Sequence, residues 1–360
     1  MSREMGLSHR LTVANLDRTA RRVFYYARNA VRDIAPKSLF RRQLDGLLER
    51  AIEGGAPVRE RLDYYNKLTT SFTPGSEAVT VDNVPWRRSR YYYDFKEYVR
   101  FFDPGLRLDV KFGDIRVVPP VPSILKSRPI AGDNANSVVL NLNKFRHFHM
   151  PADSVPFSDK MPKVVWRGGL YSPIRKRFMQ AVHGLDFCDA GTPSPKAEEQ
   201  YRKPYLSIDQ QRRYRYIVSL EGNDVATNLK WIMSSNSLCL MPEPTFETWF
   251  CEGWLKPGVH YVPLAPDFSD LADKVAYYER HPQEAEKIIA TAKAYCRPFR
   301  DQQLDRSISL LVLYKYFVLS GQVEPDDEIW RFITDRPRAA PGGGAPARQP
   351  LSISATVGAK

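Results

Sequence analysis

The sequence has no run of about 18 apolar residues, so no segment reads as a membrane span. Cysteine is scarce: four in 360 residues, at Cys188, Cys239, Cys251 and Cys296, with no CxxC and no His-rich spacing beside them. That excludes a disulfide framework and a zinc site, and it suits a reducing compartment. The opening MSREMGLSHRLTV lacks the apolar core of a secretory leader, and no KDEL-type retention signal ends the chain. The expected location is cytoplasmic. There is no GxxxxGKS/T, HRD or DFG, which leaves a kinase without its phosphate-handling motifs. No RNP, zinc-finger or helix-turn-helix pattern occurs either.

What is present is the composition of a globular protein, 43% hydrophobic and 26% charged, on a chain long enough for two domains. Net charge is +12, and the first 100 residues carry 19 Lys and Arg against 12 Asp and Glu. Such a surface attracts phosphate in any form: nucleic acid, anionic lipid or a sugar nucleotide. Charge alone does not choose among them, and a basic nucleic-acid-binding protein is the alternative reading.

Apolar residues Leu16, Val23, Ala27 and Val31 predict a helix over 16–32 with its arginines on the other face. A second helix is expected over 38–53, capped by Ser38. The aromatic stretch 91–102 has no clear period. Alternation over 106–114 predicts a strand ending near Asp114. From Val164 the pattern becomes regular. VVW is a strand, and a helix starts at Ser172-Pro173, with serine as cap and proline in the first turn. Strands follow at 214–220, 237–242 and 259–264, with helices after Gly222, up to His281, after Pro282 and over 305–320. Strand–helix alternation with short loops means a parallel sheet covered by helices, an α/β fold of Rossmann type. The expected division is 1–158, 159–304, a helical segment 305–335 and a disordered tail 336–360.

Ligands of such sheets sit at the carboxyl ends of the strands. Arg167-Gly168-Gly169, followed by a helix carrying Arg175, is placed for an anion. Gly222, Asn223, Asp224, Ala226, Thr227 and Asn228, followed by Lys230, repeat the arrangement. Two such ends suit a diphosphate, and each also reads as a plain turn before a solvated helix. Glu247 and Glu252 bracket a Trp-rich segment expected to be helical. Either glutamate is suited to a ribose diol, and both also read as surface residues, while Trp249 and Trp254 read as core. Asp114 reads as an Asx turn closing its strand. Lys126, Arg128 and His147 read as ligand contacts or as structural pairs.

WRGG, then RYRYIVSLEGNDVATNLKWIMSSNSLCLM, then WLKPGVHYVPL and DFSDL resemble glycosyltransferase family 90, over residues 110–300 and only weakly before 100. The resemblance implies a GT-B architecture, two Rossmann-like domains facing a cleft. It implies inverting, metal-independent transfer of a sugar from a UDP-sugar, with no cofactor. The acceptor expected is a lipopolysaccharide or other surface glycan; a lipopolysaccharide sugar kinase is the more remote alternative. Matched motif by motif, Gly169 and Arg175 fall on the first nucleotide-sugar position, Gly222 to Lys230 on the second, and Asp114 on the catalytic base. Where many members carry an arginine this chain has Asn228, and Lys230 is the nearest substitute. A lipid-linked acceptor would bring the N-terminal arginines, Arg18, Arg21, Arg22, Arg28 and Arg32, to an anionic membrane surface.

Overall fold

The computed structural model describes residues 19–20, 22–32, 36–86 and 89–335, the side chains of 89 and 90 excepted. The tail 336–360 and the arginines at 18 and 21 lie outside the described residues. Two sheets organise the chain. Val79–Thr80 (β1), Arg107–Lys111 (β2), Ser123–Leu125 (β3), Ser127–Pro129 (β4) and Ser137–Val139 (β5) come first. Met161–Arg167 (β6), Cys188–Gly191 (β7), Tyr214–Val218 (β8), Leu238–Met241 (β9), Phe246–Thr248 (β10) and Val262–Pro263 (β11) follow.

The first sheet runs β1-β2-β3-β5, with β2, β3 and β5 parallel and β1 an antiparallel edge. The second is wholly parallel and runs β11-β9-β8-β6-β7. The α/β class expected from the alternation is present. In the second sheet the chain goes outward from β6 to β7, then returns to the other side of β6 for β8. That makes the β6/β8 boundary the topological switch point, where an open parallel sheet binds its ligand.

Period-2 alternation divides the second sheet between two cores. Val164, Trp166, Tyr216, Val218, Leu238 and Leu240 face one, beneath helices Pro173–Val182 and Leu271–Arg280. Val165, Ile217, Cys239 and Met241 face the other, which they share with the N-terminal half. Into that second core runs the 18-residue helix Gln302–Leu319, buried along Ile308–Phe317. It packs on the helices Leu44–Ile52, Gly55–Tyr65 and Ser89–Val99. The halves are also tied by an antiparallel ribbon, β4 of one on β10 of the other, pairing Arg128 with Glu247.

Several expectations need correction. The helix over 38–53 is two helices, Lys37–Arg41 and Leu44–Ile52; Ser38 lies inside the first and caps nothing. The stretch 91–102 forms most of a helix, Ser89–Val99. Residues 22–32 are helical, but Val23, Phe24 and Val31 point outward while Tyr25, Tyr26 and Asn29 face the protein. The tyrosines bury more apolar surface and their rings pack on Tyr93 and Phe145, so they win the inner face. No helix lies between Glu247 and Glu252: β10 occupies Phe246–Thr248, and a single 3-10 turn covers Glu252–Trp254. Trp249 is core, stacked on Tyr65 at 3.8 Å. The four cysteines are free and buried. Among the described residues no helix is long and apolar enough to cross a membrane.

Candidate functional site

β6 ends in the turn Gly168-Gly169, and both glycines answer to packing. A Cβ on Gly168 would lie 2.5 Å from the Trp166 ring, and one on Gly169 would lie 2.8 Å from Tyr171. β8 ends in Glu221-Gly222, where a Cβ on Gly222 would meet the Tyr171 hydroxyl at 2.9 Å. The two turns therefore touch through Tyr171, which is 56% exposed.

Arg175 holds these turns together from below. Its Nη1 donates to the Gly169 carbonyl at 3.3 Å, Nη2 to Leu220 at 2.9 Å and Nε to Glu221 at 3.0 Å. The guanidinium also stacks under Tyr171, 4.7 Å from the ring centre. Burial lowers its pKa, partly offset by Tyr171. Three of its five N–H groups donate to these carbonyls, and Tyr171 takes a further side-chain hydrogen bond. Ser172 stands at the cap position, yet its hydroxyl donates to the Glu221 carbonyl at 3.2 Å instead of capping the helix. Arg167 points away, over β7, to Asp189 and the Pro204 carbonyl.

Asp114 follows β2 by three residues and reaches the same junction from the other sheet. Lys126, just past β3, places its Nζ 2.8 Å from Asp114 and 2.7 Å from Asp224. Asn223 donates to Asp114 at 3.3 Å, and Ser127 donates to Asp224 at 2.6 Å. Burial pulls the Asp114 pKa upward, but the Lys126 hydrogen bond and charge, with Asn223 and Arg146, hold it below the usual carboxylate range. Burial likewise opposes the Lys126 charge, and its two carboxylates more than offset that, so its pKa is raised. Arg146 acts on both Asp114 and Arg175, so the helix Lys144–His147 borders this junction.

The loop after Gly222 is not helical as expected: the helix is only Leu229–Met233. Asp224 and Asn228 are drawn into tertiary contacts instead. Asn228 accepts from Ser219 at 3.1 Å and donates to the Val218 carbonyl at 3.1 Å. Lys230 is fully buried, its Nζ on Glu252, which also accepts from the Thr248 N–H and hydroxyl. Arg128 is likewise buried on Glu247, with further bonds to the carbonyls of Tyr64, Tyr65 and Ser137. His147 is buried.

Ser219, Glu221, Ala226, Leu229, Thr245 and Glu252 line a small pocket beside the two turns, at the carboxyl ends of β8 and β9. Burial raises the Glu221 pKa, against hydrogen bonds from Thr245 and Phe246 that fasten the 242–246 loop. Thr227 is half-buried beside it. Sequence reasoning missed Tyr171, Glu221 and Arg146. For Tyr171 the signal was there, an aromatic directly before Ser-Pro and one residue past a glycine pair; the other two needed tertiary structure.

Residues 140–311 match the model of Glycosyl transferase family 90. The chain is 40% identical over 304 residues to the O-glucosyltransferase LpsA of Dichelobacter nodosus, covering 83% of this chain and 96% of that protein. Shorter matches reach Protein O-glucosyltransferase 3 of Rattus norvegicus, 35% identical over 86 residues, 24% of this chain and 16% of that one. Protein O-glucosyltransferase 2 of Danio rerio is 28% identical over 85 residues, 24% of this chain and 17% of that one.

Proposed function

The chain belongs to glycosyltransferase family 90, and from that premise we propose that it transfers a hexosyl or pentosyl group from a UDP-sugar, with inversion, to a hydroxyl of a lipopolysaccharide or other surface glycan. On this reading the two sheets are the halves of a GT-B fold, and the donor lies at the β6/β8 switch point. The observation that carries it is the Asp114–Asn223 contact. It brings a half-exposed carboxylate of the first sheet against the turn cluster of the second.

The acceptor hydroxyl attacks the anomeric carbon opposite the departing UDP, and Asp114 takes its proton as the new C–O bond forms. The anomeric C–O bond breaks with its electron pair moving to the β-phosphate oxygen. The guanidinium charge of Arg175 and the N-terminal end of helix Pro173–Val182 meet that charge. No metal or cofactor is assigned a role. The Gly168-Gly169 and Gly222-Asn223 turns let the diphosphate approach the backbone, and Tyr171 supplies an exposed ring face for the donor. The small pocket takes the nucleoside, with Glu221 toward the ribose. Lys230 and Glu252 fasten the wall of that pocket, while Arg128 and Glu247 hold the ribbon behind the site. Asp224 fixes Lys126 against the base.

Incubating the chain with a panel of UDP-sugars and a lipopolysaccharide acceptor, with UDP release and acceptor mass as readouts, tests this. No protection against heating by UDP, and no transfer from any UDP-sugar, overturns it; nucleic acid retained after nuclease treatment would then favour the alternative.

A membrane-linked acceptor also places the enzyme at the inner face of the cytoplasmic membrane. The outward Val23, Phe24 and Val31 beside Arg22 and Arg28 support that. Each such charge contributes about 1 kcal/mol near an anionic surface. Sedimentation should increase with anionic over neutral liposomes; equal pelleting sinks the idea.

A further inference from the structure

Beneath the helical residues 22–32 lies a second, larger hollow of about 760 Å3, which the transfer chemistry does not use. Its floor is the far side of the short helix Lys144–His147, whose Arg146 acts on Asp114; Lys144 and Phe145 turn to the hollow instead. Phe24, Phe148 and Phe299 line it. Aromatic walls of this kind offer flat apolar faces.

The charges are unbalanced. Glu97 faces Lys144, Arg32 at 3.3 Å and Arg306 at 3.8 Å, and these cations bring its pKa down to about 2 against the opposing effect of burial. Asp305 is taken up by Arg61 at 2.8 Å and Asn141 at 3.1 Å. Arg28 and Arg300 line the hollow with no carboxylate paired to either among the described residues. The site is positive and calls for an anion.

Shape adds to charge. Bare phosphate offers charge without a flat apolar face. A sugar offers a ring face to the phenylalanines and, when phosphorylated or carboxylated, a charge to the arginines.

We propose that this groove binds an acidic saccharide segment of the acceptor, flanking the hydroxyl that is glycosylated. The inference rests on the glycosyl-transfer reading, and the groove would set which acceptor is used without touching the reacting atoms. The test uses the full chain and phosphorylated oligosaccharide released from lipopolysaccharide by mild acid. Further arms are the same oligosaccharide after phosphatase, inorganic phosphate alone, and anionic vesicles.

Binding followed by calorimetry should weaken about tenfold in Arg28→Ala, in Arg300→Ala and on phosphatase treatment. Phe24→Ala should weaken the phosphorylated and dephosphorylated forms alike. The acceptor KM should rise with kcat and UDP affinity unchanged. Unaltered binding in all three variants overturns the proposal, as does inorganic phosphate binding as tightly as the oligosaccharide, or vesicle binding that alone depends on these residues. Loss of UDP binding in the unmodified chain would instead strike the glycosyl-transfer reading, so the two failures are distinguishable.

Discussion

Lys126 and Lys230 are both buried lysines held by carboxylates, and they do different things. Lys126 is shared between Asp114 and Asp224, and the Asp114 side chain remains 32% exposed. Lys230 and Glu252 are sealed at 0% and 1%. In the first group one lysine serves two carboxylates, and one carboxylate edge stays open to a substrate. In the second every charged atom faces protein. Exposure of the acid, rather than the presence of the pair, separates a site of chemistry from a fastening.

Breaking each group should therefore fail differently. Asp114→Asn keeps shape and removes basicity; transfer should fall about 10²–10⁴-fold while folding and UDP affinity stay normal. Near-normal turnover would move the base elsewhere. Asp109 is a poor substitute because it is buried and accepts from the Gly75 N–H at 2.8 Å. Asp133 accepts from the Ala135 N–H within its own exposed turn.

Lys230→Met strands Glu252 and should cost about 3–5 kcal/mol of stability, read from the urea midpoint. A Lys230→Met/Glu252→Leu double variant should recover most of it; no loss in the single variant would contradict the sealed pair. Arg175→Ala should weaken UDP binding by about 1.5–3 kcal/mol in calorimetry on folded protein. Unchanged affinity would restrict Arg175 to fastening the turns.

The pH profile sharpens the contrast last. Asp114 works ionised, and its pKa is depressed, so activity is present above that pKa and lost as pH falls through it, below about 3.9. Lys126→Gln removes the main cause of the depression. The acid limb of the rate should then move to higher pH. An unmoved limb would mean that Asp114 does not control it.

The C-terminal half was legible because β6, β8 and β9 are long enough to show a period, and β6 and β8 each run into a helix. β4 and β5 have three residues each, which carry no period at all. The helix Ser89–Val99 buries Tyr91, Phe95, Tyr98 and Val99 and is aromatic nearly all round, so no stripe stands out. At the site, glycines next to strand ends gave away the turns. The Asp114–Asn223 contact, spanning 109 residues, is written only in the tertiary structure. Lys230 reads as a phosphate contact because it follows a strand-end turn, and nothing local announces that Glu252 takes its charge.

The helix Gln302–Leu319 leaves the ribosome after the segments it packs on, yet it fills the core of the half made before it. Leu48, Leu62, Phe95, Leu108 and Ile124 share a cluster with Ile308 through Phe317. The first three hundred residues thus emerge with their principal apolar surface uncovered. Domains that fold in order of synthesis close their cores as they appear; this one must wait. A chain stopped before residue 302 should be sticky and chaperone-dependent, even though it carries Asp114 and both turns.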